Sequence, residues 1–274
     1  MHRLPRVSQL ALLTALVCFP RLASAQQSRA DRWLDDCRHD GDRDDARVCE
    51  TRNVTLPATR SVEVDGRQNG GITVHGWDKS QIQVIAMVQA QAESDADARD
   101  IAKQITVSTE NGQIRADGPR VYGRHSSWAV SYEVWVPRGT DLRLEARNGG
   151  ISVDSVDSHI DMQTTNGGIH VAGVAGDVRG TTTNGGVTAD LSGDRWNGAG
   201  LDLRTTNGGV RLALPASYNA RLETGTVNGG LDIEFPITVQ GSIRRELTTQ
   251  LGSGGASIRA MTTNGGVTIR RKGT

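Results

Sequence analysis

From about Leu142 onward, apolar and polar residues alternate on both sides of a recurring Asn-Gly-Gly triplet. The triplet begins at Asn148, Asn166, Asn184, Asn207, Asn228 and Asn264, and once upstream at Asn69; from Asn148 the steps are 18, 18, 23, 21 and 36 residues. Six residues before each Asn of the main array stand Leu142, Ile160, Val178, Leu201, Leu222 and Ile258. Three residues after it stand Ile151, Ile169, Val187, Val210, Leu231 and Val267, and five after it Val153, Val171, Ala189, Leu212, Ile233 and Ile269. The positions between these last two sets are polar or small: Ser152, His170, Thr188, Arg211, Asp232 and Thr268. Side chains alternate across a strand with period two, so each unit reads as strand, bend, strand with one inward face. Asn69 fits the second half of this grammar through Ile72 and Val74 but not the first, where Glu63 holds the apolar position.

Asn-Gly between alternating strands is a hairpin signal, but a hairpin does not explain why every unit repeats it at a near-constant step. Stacked coils do. The expected fold is therefore all-β: a parallel β-solenoid of Asn-Gly-Gly repeats, with an N-terminal strand portion containing one short helix. Equivalent residues of neighbouring coils would lie about 4.8 Å apart. Asn148, Asn166, Asn184, Asn207, Asn228 and Asn264 could then form a structural amide ladder, with Asn264 at its end. The two glycines are expected to supply positive φ at a crowded corner. Thr164, Thr182, Thr205, Thr226 and Thr262, two before the Asn, should stack beside it. Ser253-Gly254-Gly255 reads as a degenerate copy and implies an extra turn before Asn264.

Upstream, the alternation predicts strands at Val54–Leu56, Val62–Val64, Ile72–Val74, Ile82–Val84 onward, Ile105–Ser108, Gln113–Ala116 and Trp128–Val136. One helix is expected over about Asp95 to Ile105. Ser94 can cap it with Asp97 three residues on, and Ala98, Ile101, Ala102 and Ile105 form a single apolar stripe. Tryptophans 77, 128, 135 and 196 share no repeat position and are expected as end caps or core.

The N-terminus changes the picture of where the chain works. Arg3 and Arg6, the apolar run Leu10 to Phe19 and Ala23-Ser24-Ala25 read as a secretory signal peptide cut before Gln26. The expected organisation is 1–25 signal peptide, 26–51 polar disulfide-closed segment, 52–140 strand-and-helix cap portion and 141–274 repeat solenoid. The run is too short to span a bilayer and no longer one follows, so the protein is expected to be exported, to the periplasm or the cell surface. Losing Arg3, Arg6 and Arg21 leaves 28 basic against 31 acidic residues, a formal charge of −3. That gives no electrostatic footprint for nucleic acid. Cys37 and Cys49 remain and should form one disulfide. The loop between them carries Asp40, Asp42, Asp44 and Asp45, but lacks the glycine and glutamate that a calcium loop needs. With 33 glycines and only 4% aromatic residues, the composition suits a thin β core with many turns.

The run Thr-Thr-Asn-Gly-Gly-Val, with Gly176-Asp-Val-Arg-Gly180 between copies, resembles the bacterial putative-adhesin domain family, the toastrack β-solenoids. Asn69-Gly70-Gly71, Gly76-Trp77-Asp78 and Val136-Pro137-Arg138 are similar to members with an N-terminal strand-and-helix portion, so the resemblance covers roughly 52 to 274. It implies a β-helical fold and an envelope or surface location, and no established reaction. Some relatives belong to envelope-stress systems.

Some β-helices cleave acidic polysaccharides with carboxylates gathered on one face. Asp154, His170 and Asp190, on three successive units, are the nearest candidates here. Asp154 and Asp190 would sit two coils, about 9–10 Å, apart. A solvated face is the blander alternative. There is no H-E-x-x-H helix, nucleophile elbow or nucleotide loop, and no motif that asks for a cofactor or metal. The adjacent threonines do not make a flat ice-binding array. The sequence therefore points to a non-catalytic, adhesin-like module that meets an envelope or surface ligand, protein or polysaccharide. A periplasmic envelope-stress sensor and a polysaccharide-active enzyme are the alternatives.

Overall fold

A computed structural model describes residues 21–39, 45–122, 125–235 and 245–272. Most of the expected signal peptide and the acidic residues Asp40, Asp42 and Asp44 lie outside these residues; 21–25 begin the first helix. The described chain runs α1 (Arg21–His39), β1 (Ala46–Pro57), β2 (Ser61–Asp65), β3 (Ile72–Trp77), β4 (Gln81–Ala92), α2 (Asp95–Gln104), β5 (Thr106–Ser108), β6 (Gln113–Asp117) and β7 (Ser127–Pro137). The repeats then contribute strands in pairs: β8 (Asp141–Asn148) and β9 (Ile151–Asp154), β10 (Asp157–Asn166) and β11 (Ile169–Ala172), β12 (Ala175–Asn184) and β13 (Val187–Asp190), β14 (Gly200–Asn207) and β15 (Val210–Pro215). The remaining elements are β16 (Ala220–Asn228), β17 (Leu231–Ile233), β18 (Glu246–Leu251), β19 (Ser257–Asn264) and β20 (Val267–Lys272).

Two ten-stranded sheets face each other, ordered β1-β4-β7-β3-β9-β11-β13-β15-β20-β17 and β18-β16-β19-β14-β12-β10-β8-β2-β6-β5. Neighbouring coils pair in parallel register, with Asn166 opposite Asn148 and Asn184. The expectation of a purely parallel solenoid needs correction at both ends, where pairing turns antiparallel. β1 pairs β4 and β4 pairs β7; β5 pairs β6 and β16 pairs β18. β18 occupies the long step before Asn264, so Ser253-Gly254-Gly255 is the turn leaving this antiparallel strand and not a further coil. Asn219 anchors that turn, accepting from the Ser253 amide at 2.7 Å.

The inward positions of the grammar fill the core. Leu142, Ile160, Val178, Leu201, Leu222 and Ile258 are buried, as are Ile151, Ile169, Val187, Val210 and Val267. Leu231 and Ile233 are only half-buried because β17 is the last strand of its sheet. The misfit at Asn69 has a local cause. Val62, not Glu63, pairs with Leu142, while Asn69 pairs with Asn148. One extra residue is therefore accommodated between β2 and the corner, where Arg67 takes a left-handed φ of 52°.

At the corners, Asn148 donates to Asn69 at 3.1 Å, Asn166 to Asn148 at 2.7 Å, Asn184 to Asn166 at 2.8 Å and Asn207 to Asn184 at 2.8 Å. Asn264 then donates to Asn207 at 2.8 Å, and Asn228 to Asn264 at 2.7 Å. Asn264 is thus interior and Asn228 terminal, which corrects the expected position of Asn264. The last repeat in sequence, β19 and β20, slots between β14–β15 and β16–β17.

The role expected of the glycines also changes. Among the glycines of the six Asn-Gly-Gly triplets from Asn148 onward, only Gly265 has a φ, 155°, in the range L side chains avoid. What demands glycine is contact between coils. A Cβ on Gly167, Gly185 or Gly208 would overlap the carbonyl of the first glycine in the coil beneath. The buried threonines use these same carbonyls: Thr182 donates to Gly167 O at 2.7 Å and Thr205 to Gly185 O at 2.8 Å.

α2 starts at its Ser94 cap, whose hydroxyl accepts from the Asp97 amide at 3.2 Å, and buries Ala98, Ile101 and Ala102. The segment read as polar and disulfide-closed, 26–51, holds most of α1 and the start of β1. Cys37 of α1 is disulfide-bonded to Cys49 of β1.

Candidate functional site on an outer sheet face

α1 lies on the outer face of the β1-to-β17 sheet. Its stripe is Ala30, Trp33, Leu34 and Cys37, at i, i+3, i+4 and i+7. Ala30 packs with Trp77, Ile85 and Trp135, all outward residues of the sheet, and with Met87. Two of the tryptophans expected in caps or core therefore form a second, smaller apolar cluster beneath this helix. Trp196 joins the main core, and Trp128 packs at its edge.

Beside this cluster, His75 of β3 sits on one cross-strand row with Trp135 and Asp154. Its ring stacks on Trp135 with centroids 5.2 Å apart. Nδ1 bonds the Asp154 carboxylate, and Nε2 lies 3.1 Å from Glu133, which also takes Arg29 of α1 at 3.2 Å. Burial disfavours the imidazolium, but hydrogen bonds and charge from Asp154 and Glu133 outweigh it and raise the His75 pKa to about 9. Burial likewise opposes ionisation of Asp154, and its bond to His75 reverses this, so the Asp154 pKa falls below the ordinary carboxylate value. At neutral pH, then, His75 is a cation clamped at both nitrogens. It has no lone pair to offer as a base or a metal ligand. Among the described residues no three His, Cys, Asp or Glu side chains are grouped to hold a metal ion.

The residues singled out from sequence separate here. Asp154 and Asp190 share a row with Ala172 between them, whereas His170 lies on the neighbouring row, opposite Ser152 and Thr188. Asp154 is taken by His75, and Asp190 by Lys272 at 3.4 Å. Each carboxylate has its own cation, and they do not act as a pair. His75 was missed, although it stands six residues after Asn69 as Asp154 stands six after Asn148. Glu133 and Trp135 lie outside the repeat grammar.

The opposite sheet carries a row of alternating charge on its outer face: Glu63, Arg143, Asp161, Arg179, Asp202, Arg259 and Glu223 on adjacent strands. Many of these groups are also paired along their own strand, as Arg143 with Glu145 and Arg204 with Asp202, both at 2.6 Å. Charges of opposite sign at each step leave no sustained field of one sign along this row.

Uncharged space remains beside α1. A groove of about 560 Å³ runs along the sheet next to Trp33 and Met87, floored by Thr73, Ser152, His170 and Thr188.

The family model described as Toastrack DUF4097 matches residues 50–270. The chain belongs to the Toastrack DUF4097 family. Solved structures similar to this Toastrack chain include a putative cell adhesion protein from Clostridium sporogenes, 13% identical, covering 82% of this chain and 100% of that one, with a TM-score of 0.46. Others are a putative adhesin from Parabacteroides distasonis (8% identity, 81% and 97% coverage, TM-score 0.35) and a putative lipid binding protein from the same species (10%, 82% and 97%, TM-score 0.33). No curated protein matches the chain. No helix of the described residues is long and apolar enough to cross a membrane.

Proposed function

We propose that this Toastrack chain is an exported, non-catalytic, adhesin-like module that binds an envelope or surface ligand across a flat sheet face. The observation that carries this reading is the pairing of the candidate catalytic groups. His75 is held as a cation between Asp154 and Glu133, and Asp190 is paired with Lys272. General acid–base catalysis needs a group free to exchange a proton near neutral pH, and the bonds between His75 and Asp154 favour the charged form of each. The outer faces instead offer broad, rigid, regularly spaced side chains, which suits contact over an extended surface.

The test uses the mature protein with isolated cell envelopes and a polysaccharide panel. Saturable sedimentation with envelopes, without release of reducing ends, is the expected result. Turnover abolished by Asp154→Ala or Asp190→Ala overturns the proposal.

A further inference from the structure

The lining of the groove beside α1 differs from the charged row on the opposite sheet. Its floor is a single cross-strand row, Thr73, Ser152, His170 and Thr188, in parallel register on β3, β9, β11 and β13. The row crosses four strands at about 4.8 Å each. The second glycines of four successive corners border it. Among the described residues no Asp, Glu, Lys or Arg lines it. The wall is Trp33, an inward-stripe residue of α1 that remains only half-buried although Ala30 and Cys37 on the same stripe are buried.

We infer that this groove is a binding site for a neutral saccharide chain. The inference rests on the reading of the protein as a surface-interaction module and names that module's ligand class. A sugar ring has an apolar face and a rim of hydroxyls. An indole beside a row of hydroxyls and an imidazole meets both, with the ring stacked on Trp33 and its rim bonded to the row. Other occupants fit less well. An anionic chain finds no Arg or Lys among the described residues of the lining. An acyl chain would strip water from four polar side chains without replacing their hydrogen bonds. An extended peptide cannot add as a strand, because these strands are interior to the sheet and their backbone groups are already paired.

The test is calorimetric titration of the mature, disulfide-intact protein with neutral cello-, chito- and malto-tetraose, and with tetragalacturonate as the anionic comparison. Binding of at least one neutral tetrasaccharide is expected, weakened tenfold or more by Trp33→Ala. Because Trp33→Ala could loosen α1, Thr188→Trp, which fills the groove from the sheet side, should give the same loss with an unchanged melting temperature. Trp128→Phe, away from the groove, should bind as wild type. The inference is overturned if no neutral tetrasaccharide binds, if only tetragalacturonate binds, or if both groove variants bind normally. If wild type and both variants sediment equally with envelopes, this site falls while the interaction-module reading stands. A wild-type protein that neither sediments nor binds any sugar removes both.

Discussion

His75 and Asp154, 79 residues apart in sequence, are neighbours on one row of the sheet and hold each other charged. The sign of the resulting pH dependence follows from the two shifts. His75 is raised from 6.5 to about 9, so its contribution to stability is complete below about pH 6.5 and disappears as pH rises through 9. Asp154 is lowered, so its contribution is present above its ordinary value near 4 and disappears in acid. Denaturant melts of wild type and His75→Gln should therefore differ most at pH 5–6.5, by roughly 2 kcal/mol once solvent screening is allowed for. The two should converge near pH 10. A difference that does not change with pH would contradict the charged clamp.

In the asparagine stack, an interior residue both donates and accepts, while Asn228 only donates to another asparagine. Asn184→Ala and Asn264→Ala should each lose about 2 kcal/mol and Asn228→Ala about half of that, each bond being worth about 1 kcal/mol. Thermal melts of the three variants decide. Equal losses would mean that the ladder contributes little.

The two glycines of one corner should respond differently to the same substitution. At Gly185 an added Cβ overlaps the Gly167 carbonyl, and both are backbone atoms with nowhere to move. At Gly186 the nearest atom, Gly209 O, is 3.4 Å away. Gly185→Ala should cost about 3 kcal/mol or more, and Gly186→Ala under about 1 kcal/mol. Yields of folded protein and melting temperatures measure the gap.

Tyr132 is an inward residue of β7 whose buried hydroxyl has no hydrogen-bond partner among the described residues. Burial also raises its pKa, so it stays neutral. Tyr132→Phe removes an unsatisfied polar atom and should stabilise the protein by about 1 kcal/mol. Destabilisation by a similar amount in chemical melts would reveal a bridging water.

The solenoid was legible in the sequence because inward residues and corner spacing repeat together. The order of the coils was not. Ile258 and Leu222 fill equivalent core positions, so nothing in the grammar says which of the two coils packs on Leu201. α1 escaped notice for a different reason. Its stripe of Ala30, Trp33, Leu34 and Cys37 is thin among charged residues, and the disulfide drew the segment into a loop reading. The groove depends on that helix, so Trp33 could not have been placed in one groove with Ser152 and His170 before the fold was known.

The exchange of the β16–β17 and β19–β20 coils has a consequence for synthesis. In a stack laid down in sequence order, each coil could dock as soon as it emerged, and a chain cut short would lose only its outermost layer. Here the layer formed by β19 and β20 belongs beneath one that emerges earlier. The β16–β17 coil cannot join the rest of the stack until residues 257–272 have arrived, so synthesis of that stretch becomes a condition for closing the stack. A prematurely terminated product would display a bare core and a loose coil, both recognisable to quality-control proteases before the protein reached its place of work.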